Sequence, residues 1–190
     1  MTFGKAKEIL TNVEKYIEAK SDTWMETTKL VALESLIPAV ILAIAAFAGF
    51  SGLAALKLPA LGLDMGMAAA TAFIGTIIGS ILLLVVGGLV LHVFALLLGG
   101  KGTFNDSVAA MGAFMTPLLL LGWIPFINMI AGIYSAAIIV IAVAKKHKLT
   151  MFNASISIAL PAIILALVAA YLASLTVPAM IASFVPALVR

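Results

Sequence analysis

Residues 67–98 read MAAATAFIGTIIGSILLLVVGGLVLHVFALLL, 32 positions without an Asp, Glu, Lys or Arg. A helix of that length reaches about 48 Å at about 1.5 Å per residue, beyond a bilayer's hydrocarbon core of about 30 Å. Such a run is a membrane span that has to tilt, kink or project. The Gly87-Gly88 pair is where it bends at least cost, and its last turns, with His92, emerge on one side. Outward from this stretch, residues 30–175 are one apolar block after another, separated by short polar seams. The chain carries 64% hydrophobic and 10% charged residues. Soluble domains run at about 25% charged, so the main solvent of this chain is lipid.

The expected fold is all-α: a polytopic helical bundle of five transmembrane helices, preceded by a short amphipathic N-terminal helix. The spans fall at 30–55, 67–98, 108–123, 125–144 and 152–175, with a tight hairpin between the third and fourth. Pro117 and Pro161 lie inside spans three and five, where each removes one backbone hydrogen bond and bends its helix. In the cytoplasmic segment 1–29, Phe3, Ala6, Leu10, Val13 and Ile17 recur at spacings of three and four, with Lys5, Lys7, Glu8, Glu14, Lys15 and Glu18 between them. This is one amphipathic helix, ending at Ser21-Asp22. Thr23 and Glu26 then have the spacing of a capping box that opens the helix of span one. The segment has no short apolar core with a basic start and a cleavage site, so no cleaved signal peptide is expected. The tail 176–190, with Pro178 and Pro186, reads as too broken for another span and as lying in the outer interface.

Lysines set the orientation. With the N-terminus inside, the inner segments hold Lys5, Lys7, Lys15, Lys20, Lys29, Lys101, Lys145, Lys146 and Lys148, against Lys57 and Arg190 outside. The expectation is a multi-pass protein of the cell membrane, N-terminus cytoplasmic and C-terminus extracytoplasmic.

Several function classes are excluded early. Cysteine is absent, which removes disulfides, thiolate zinc sites, iron–sulfur clusters and cysteine nucleophiles. At 190 residues a second folded domain does not fit beside five spans. Basic clusters at span ends orient a membrane protein and do not bind nucleic acid. Gly99-Gly100-Lys101-Gly102-Thr103 is not a phosphate-binding loop, because its lysine precedes the last glycine and its flanks are membrane helices. It reads as a flexible inner turn, with Asn105 or Asp106 capping span three.

An ionised side chain at mid-bilayer costs at least about 2.5 kcal/mol, and few candidates exist. Glu34 lies about one turn into span one, where it snorkels to the inner surface in preference to relaying protons. His92 is expected to hydrogen-bond a neighbouring helix; no second His, Asp or Glu is spaced to complete a metal site, and His147 sits in a solvated lysine seam. Asn128, Tyr134, Asn153, Ser155, Ser157 and Tyr171 fit bonds between helices better than a solute path. Gly75-x-x-x-Gly79, extended by Ala68, Ala69, Ala70 and Ala72, permits close helix packing. No catalytic residue, cofactor or metal ligand is expected.

The stretch from Leu91-His92 through Leu98-Gly99-Gly100-Lys101-Gly102-Thr103-Phe104, then Ala109-Ala110-Met111-Gly112 and Thr116-Pro117, resembles prokaryotic members of the Yip family, the Ypt/Rab-interacting membrane proteins. Tyr134-Ser135 with Lys146-His147-Lys148-Leu149-Thr150 fits the same pattern. So do Ile9-Leu10-Thr11-Asn12, Tyr16 and Ile17, although Val13 stands where archaeal members often have proline. The resemblance implies a five-span domain with a cytoplasmic N-terminus and no catalytic hallmark. Eukaryotic relatives act in vesicle traffic through small GTPases and one another; this chain lacks their long N-terminal region, so GTPase binding is assigned to no residue here.

The expected function is therefore non-enzymatic association with lipids and with other membrane proteins or a second copy. The expected cytoplasmic interaction surface is His92, Gly99, Gly100, Lys101, Gly102, Thr103, Phe104, Lys145, Lys146 and Lys148. The alternative is a small transporter or channel for an uncharged or apolar solute, against which stand the scarcity of buried charge and the lack of paired broken spans. A membrane enzyme would need converging groups, whereas Glu34, His92, Asp64 and Asp106 are scattered.

Overall fold

The computed structural model describes residues 2–19, 22–48 and 65–188, without the side chains of 2, 3 and 175–188. The seam with Lys57, Pro59, Gly62 and Asp64 lies outside the described residues, as do Lys20 and Ser21. Eight helices follow one another: α1 (Thr2–Thr11), α2 (Val13–Glu18), α3 (Trp24–Glu34), α4 (Leu36–Phe47), α5 (Met65–Leu97), α6 (Phe104–Leu121), α7 (Ile127–His147) and α8 (Met151–Leu188). Among the described residues there is no strand. Five helical stretches are long and apolar enough to cross a membrane: Trp24–Phe47 (α3 with α4), α5, α6, α7 and Met151–Ser174 of α8.

Pairings along the helices give their directions. Trp24 N–H bonds Asn105 and Thr116 bonds Glu34, so α3 and α6 run parallel. Gly88 faces Val108, and Leu84 stands near Gly112, so α5 is antiparallel to α6. Ser107 meets His147, which makes α7 antiparallel as well. One end of the bundle thus gathers Trp24, the 98–103 turn and the 145–151 turn. It is the lysine-rich end, here called inner.

α6 is the central helix. Its buried residues include Ser107, Ala109, Ala110, Gly112, Ala113 and Thr116, small side chains that let backbones approach. A methyl group added at Gly112 would fall 2.5 Å from Thr27 Cγ2 on α3. On α5 the contact with α6 is made at Gly87 and Gly88, where an added Cβ would lie 2.9 Å from Met111 Cε and 2.9 Å from Val108 Cγ2. α5 continues through both as one helix. At Gly75 and Gly79 an added Cβ meets nothing within 4 Å, so no close packing is made there among the described residues. Pro117 lies buried inside α6, and Pro161 inside α8.

Three boundaries differ from the sequence expectation. The N-terminal segment is two helices, because Asn12 leaves helical geometry (φ −150°, ψ 61°) and its side chain accepts from Lys15 N–H, the local competition that makes Asn a capping residue. Span one starts at Trp24, six residues before Leu30, and is interrupted at Ser35, whose hydroxyl bonds the Ala32 carbonyl. α8 does not stop near Leu175; it remains helical to Leu188 through Pro178 and Pro186, which membrane helices tolerate better than soluble ones.

Candidate functional site

The inner end is built from two matching helix stops. α5 ends with Gly99 at φ +86° and the Gly100 N–H donating to the Ala95 carbonyl at 2.8 Å. α7 ends with Lys148 at φ 56° and the Leu149 N–H donating to the Ala144 carbonyl at 2.9 Å. Both are left-handed caps with a six-to-one hydrogen bond. They are joined by the Lys101 N–H, which donates to the His147 carbonyl at 2.9 Å. A Cβ at Gly102 would fall 2.6 Å from His147 Nδ1, so only glycine lets this turn lie on the imidazole.

Thr103 then starts α6. Its N–H donates to Asp106 Oδ2 at 2.7 Å, and its hydroxyl accepts from Asp106 N–H in a capping box. Thr103 is therefore the cap and Asp106 its partner in the first turn. Asn105 caps a different helix: its side-chain oxygen accepts from Trp24 N–H of α3 at 3.0 Å. Thr23 also caps α3, while the Glu26 carboxylate pairs with Lys29 at 2.8 Å and is not seen to close the box.

Beneath the turn lies a polar cluster. Ser107 Oγ is 2.9 Å from His147 Nε2 and 3.1 Å from His92 Nδ1. The two rings are 5.9 Å apart, and His92 stands edge-on to Phe104 at 6.0 Å. A hydroxyl has one proton, so Ser107 donates to one imidazole and accepts from the other. His147 is fully buried, and its Nδ1 has no partner among the described residues. The expectation of a solvated His147 is thus overturned: it lies on the buried face of α7 with Val143 and Ile139, and the flanking lysines take the other faces. His92 does bond a neighbouring helix, through Ser107. Among the described residues no three of His, Cys, Asp or Glu converge as a metal site.

The Yip1 domain family model matches residues 21–187. The chain belongs to the Yip1 domain family. No curated protein and no solved structure gave a match. In this Yip1 domain two of the stretches that carry the family resemblance, 91–104 and 146–150, meet at the inner end.

Elsewhere several polar side chains are also held internally. Glu34 does not snorkel. It is buried on α3, and Thr116 Oγ1 lies 2.9 and 3.1 Å from its two oxygens. A cavity of about 180 Å³ adjoins it, lined by Ala6, Leu30, Leu33, Leu36, Ile37 and Leu120. The N-terminal helices pack against the bundle through buried Ala6, Ile9, Tyr16 and Ile17. Tyr134 of α7 donates to the carbonyls of Ile9 (3.2 Å) and Leu10 (3.3 Å). Lys145 reaches Glu14 and Glu18, both at 3.2 Å. Lys146 bonds the Ala19 carbonyl at 3.4 Å and stands 5.9 Å over the Tyr16 ring, a cation–π arrangement. Burial pushes the Tyr16 hydroxyl well above its ordinary pKa, with the Asp22 charge adding to the shift.

The expected inner surface is therefore divided. His92, Gly100, Gly102 and Phe104 form its half-buried floor; Lys145 and Lys146 contact the N-terminal helices; Lys101 and Lys148 are exposed. The remaining polar candidates do not converge: Asn128 and Tyr171 are exposed, Ser155 bonds the Met151 carbonyl, and Ser157 is buried on the Ala154 carbonyl. Ser107 and Thr116 complete both polar clusters; the sequence marks Thr116 only through the Thr116-Pro117 pair of the family resemblance and gives neither residue a polar partner. The signal for Ser107 is its place one turn before Met111 on the apolar face of α6; nothing in the sequence pairs Thr116 with Glu34.

Proposed function

We propose that this protein acts without enzymatic chemistry, by association: it organises lipids and partner proteins at the inner end of a five-span bundle. The cell membrane is its proposed location, with the N-terminus and inner end cytoplasmic, as the lysine bias supports. The observation that carries the reading is that most of the polar groups inside the bundle are bonded to one another, with Ser135 Oγ and His147 Nδ1 the buried side-chain atoms left without a partner among the described residues. Glu34 with Thr116, Ser107 with both histidines, and Tyr134 with two backbone carbonyls take up hydrogen-bonding capacity that a solute path would use. Two cavities among the described residues, each lined in part by α6, are walled almost wholly by carbon, with Glu34 and Ser155 as the polar exceptions. What remains open is lipid-facing helix surface and the basic inner end.

The test is reconstitution of the purified protein in vesicles, with uptake of small uncharged solutes measured alongside photo-crosslinking from position 148 in native membranes. The expected result is flux equal to that of empty vesicles and reproducible crosslinks to specific partners. Solute flux that Asn128→Ala or Ser157→Ala abolishes would overturn the reading in favour of a transporter.

A further inference from the structure

Lys101 and Lys148 are exposed, and neither has a carboxylate partner among the described residues, unlike Lys145 with Glu14 and Glu18. Their backbones are neighbours, because the Lys101 N–H donates to the carbonyl of His147. Lys148 also occupies a left-handed cap, φ 56°, where glycine is the unstrained choice. These lysines stand at the inner ends of α5, α7 and α8. The same three helices wall a cavity of about 820 Å³, floored by Met111 and Phe114 of α6.

The shape and depth of that cavity suit one occupant. Its walls include Val90 of α5, Val140 of α7 and Ile158 and Ala162 of α8, with Ser155 as the one polar side chain, nearest the inner end. From Ser155 to Leu165 the α8 wall is about 15 Å long, half of a hydrocarbon core of about 30 Å. The groove is therefore one leaflet deep. A partner helix would continue past mid-membrane, and a soluble anion would leave the groove empty. A hydrocarbon chain hanging from a head group at the lysine end fills it over its length.

We propose that this is a binding site for one anionic phospholipid of the inner leaflet, its phosphate between Lys101 and Lys148 and one hydrocarbon chain in the groove between α5, α7 and α8. The inference deepens the association reading and rests on it. Charge alone draws anionic lipid diffusely, and an apolar groove alone accepts any chain. Together they make a saturable site that selects the head group.

The experiment is native mass spectrometry of the delipidated full chain in detergent, titrated with phosphatidylglycerol, with phosphatidylcholine of the same chains, and with glycerol 3-phosphate. One phosphatidylglycerol should be retained at a concentration lower than phosphatidylcholine by about tenfold or more, as two nearby lysines imply. Glycerol 3-phosphate should give no adduct. Lys101→Gln with Lys148→Gln should erase the preference between the two lipids. Ala159→Phe with Ala162→Phe should weaken both lipids alike, and Lys7→Gln should change neither. The lysine pair is exposed, so its variant keeps the test valid should the groove variant fail to fold.

Equal retention of both lipids by the unaltered chain would overturn the proposal, as would a preference that survives loss of both lysines. Retention of glycerol 3-phosphate would mean a soluble-phosphate site, and dimer masses dispersed by the groove variant would mean a self-interface; each contradicts it. Any of these results leaves the vesicle flux result, and with it the association reading, untouched.

Discussion

Among the five spans α6 has the lowest mean hydropathy, 1.3, and the largest buried share, 56%, whereas the spanning part of α8 combines a mean hydropathy of 2.5 with 6% buried. In water the order would be reversed. In a bilayer the lipid tails are as apolar as leucine, so transfer free energy does not drive one helix onto another. Position is decided by close backbone approach and by polar groups that need partners. α6 has both, in Ala109, Ala110, Gly112 and Ala113 and in Ser107 and Thr116. α8 exposes Ile163, Leu165, Leu167 and Val168 and serves as a lipid-facing wall. The central helix of this protein is the one that looks least like a membrane span.

Filling the closest approach is the strongest way to break that contrast. Gly112→Leu forces a side chain into Thr27 and is expected to destabilise by about 1–3 kcal/mol or more, read as a fall in the thermal unfolding midpoint in detergent. Ala166→Leu on α8 is expected to stay within about 0.5 kcal/mol. Equal effects at the two positions would remove the distinction between core and wall.

Next in size is Ser107→Ala, which leaves ring nitrogens of His92 and His147 without a bridge, a loss of about 1–3 kcal/mol by the cost of unpaired buried groups. Thr116→Val, which strips the donor from Glu34, is expected to cost about 1–2 kcal/mol, since hydrogen bonds within membranes are worth less than burial suggests. Glu34→Gln combined with Thr116→Val should then be less than additive, and full additivity would show that the two side chains do not interact. The smallest effect belongs to the surface. Lys145→Gln should leave the unfolding of the spans unchanged and speed protease cleavage within residues 12–20, with the difference fading at high salt. Unaltered cleavage at low salt would mean that these ion pairs do not hold the N-terminal helices.

The five spans were legible because an unbroken apolar run leaves few alternatives to a helix in lipid. What escaped depends on registration between helices. A span that starts at Leu30 puts Glu34 one turn deep; counted from the Thr23 cap it is about 16 Å along the helix, too deep to snorkel. His147 was masked by its lysine neighbours, though its spacing of four from Val143 and eight from Ile139 marked the buried face. The Gly75 and Gly79 spacing and the Gly87-Gly88 pair are equally plausible packing sites in one dimension. Only the partner helix distinguishes them, and α6 reaches Gly87 and Gly88. The break at Asn12 was hidden because apolar spacing continues across it, while the signal was local: an Asn with Lys15 three residues on.

The most direct test of a closed bundle with a working inner end is thiol accessibility in sealed vesicles, for which the cysteine-free chain is a clean background. Single variants Lys101→Cys, Lys148→Cys, Phe126→Cys, Ser107→Cys and Thr116→Cys would be treated with a membrane-impermeant reagent from each side. The account requires positions 101 and 148 to react only from the cytoplasmic side, position 126 only from the opposite side, and positions 107 and 116 from neither. Reaction at 107 or 116 would expose an aqueous path through the bundle, and reaction of 101 and 126 from the same side would break the five-span arrangement; either result contradicts the account.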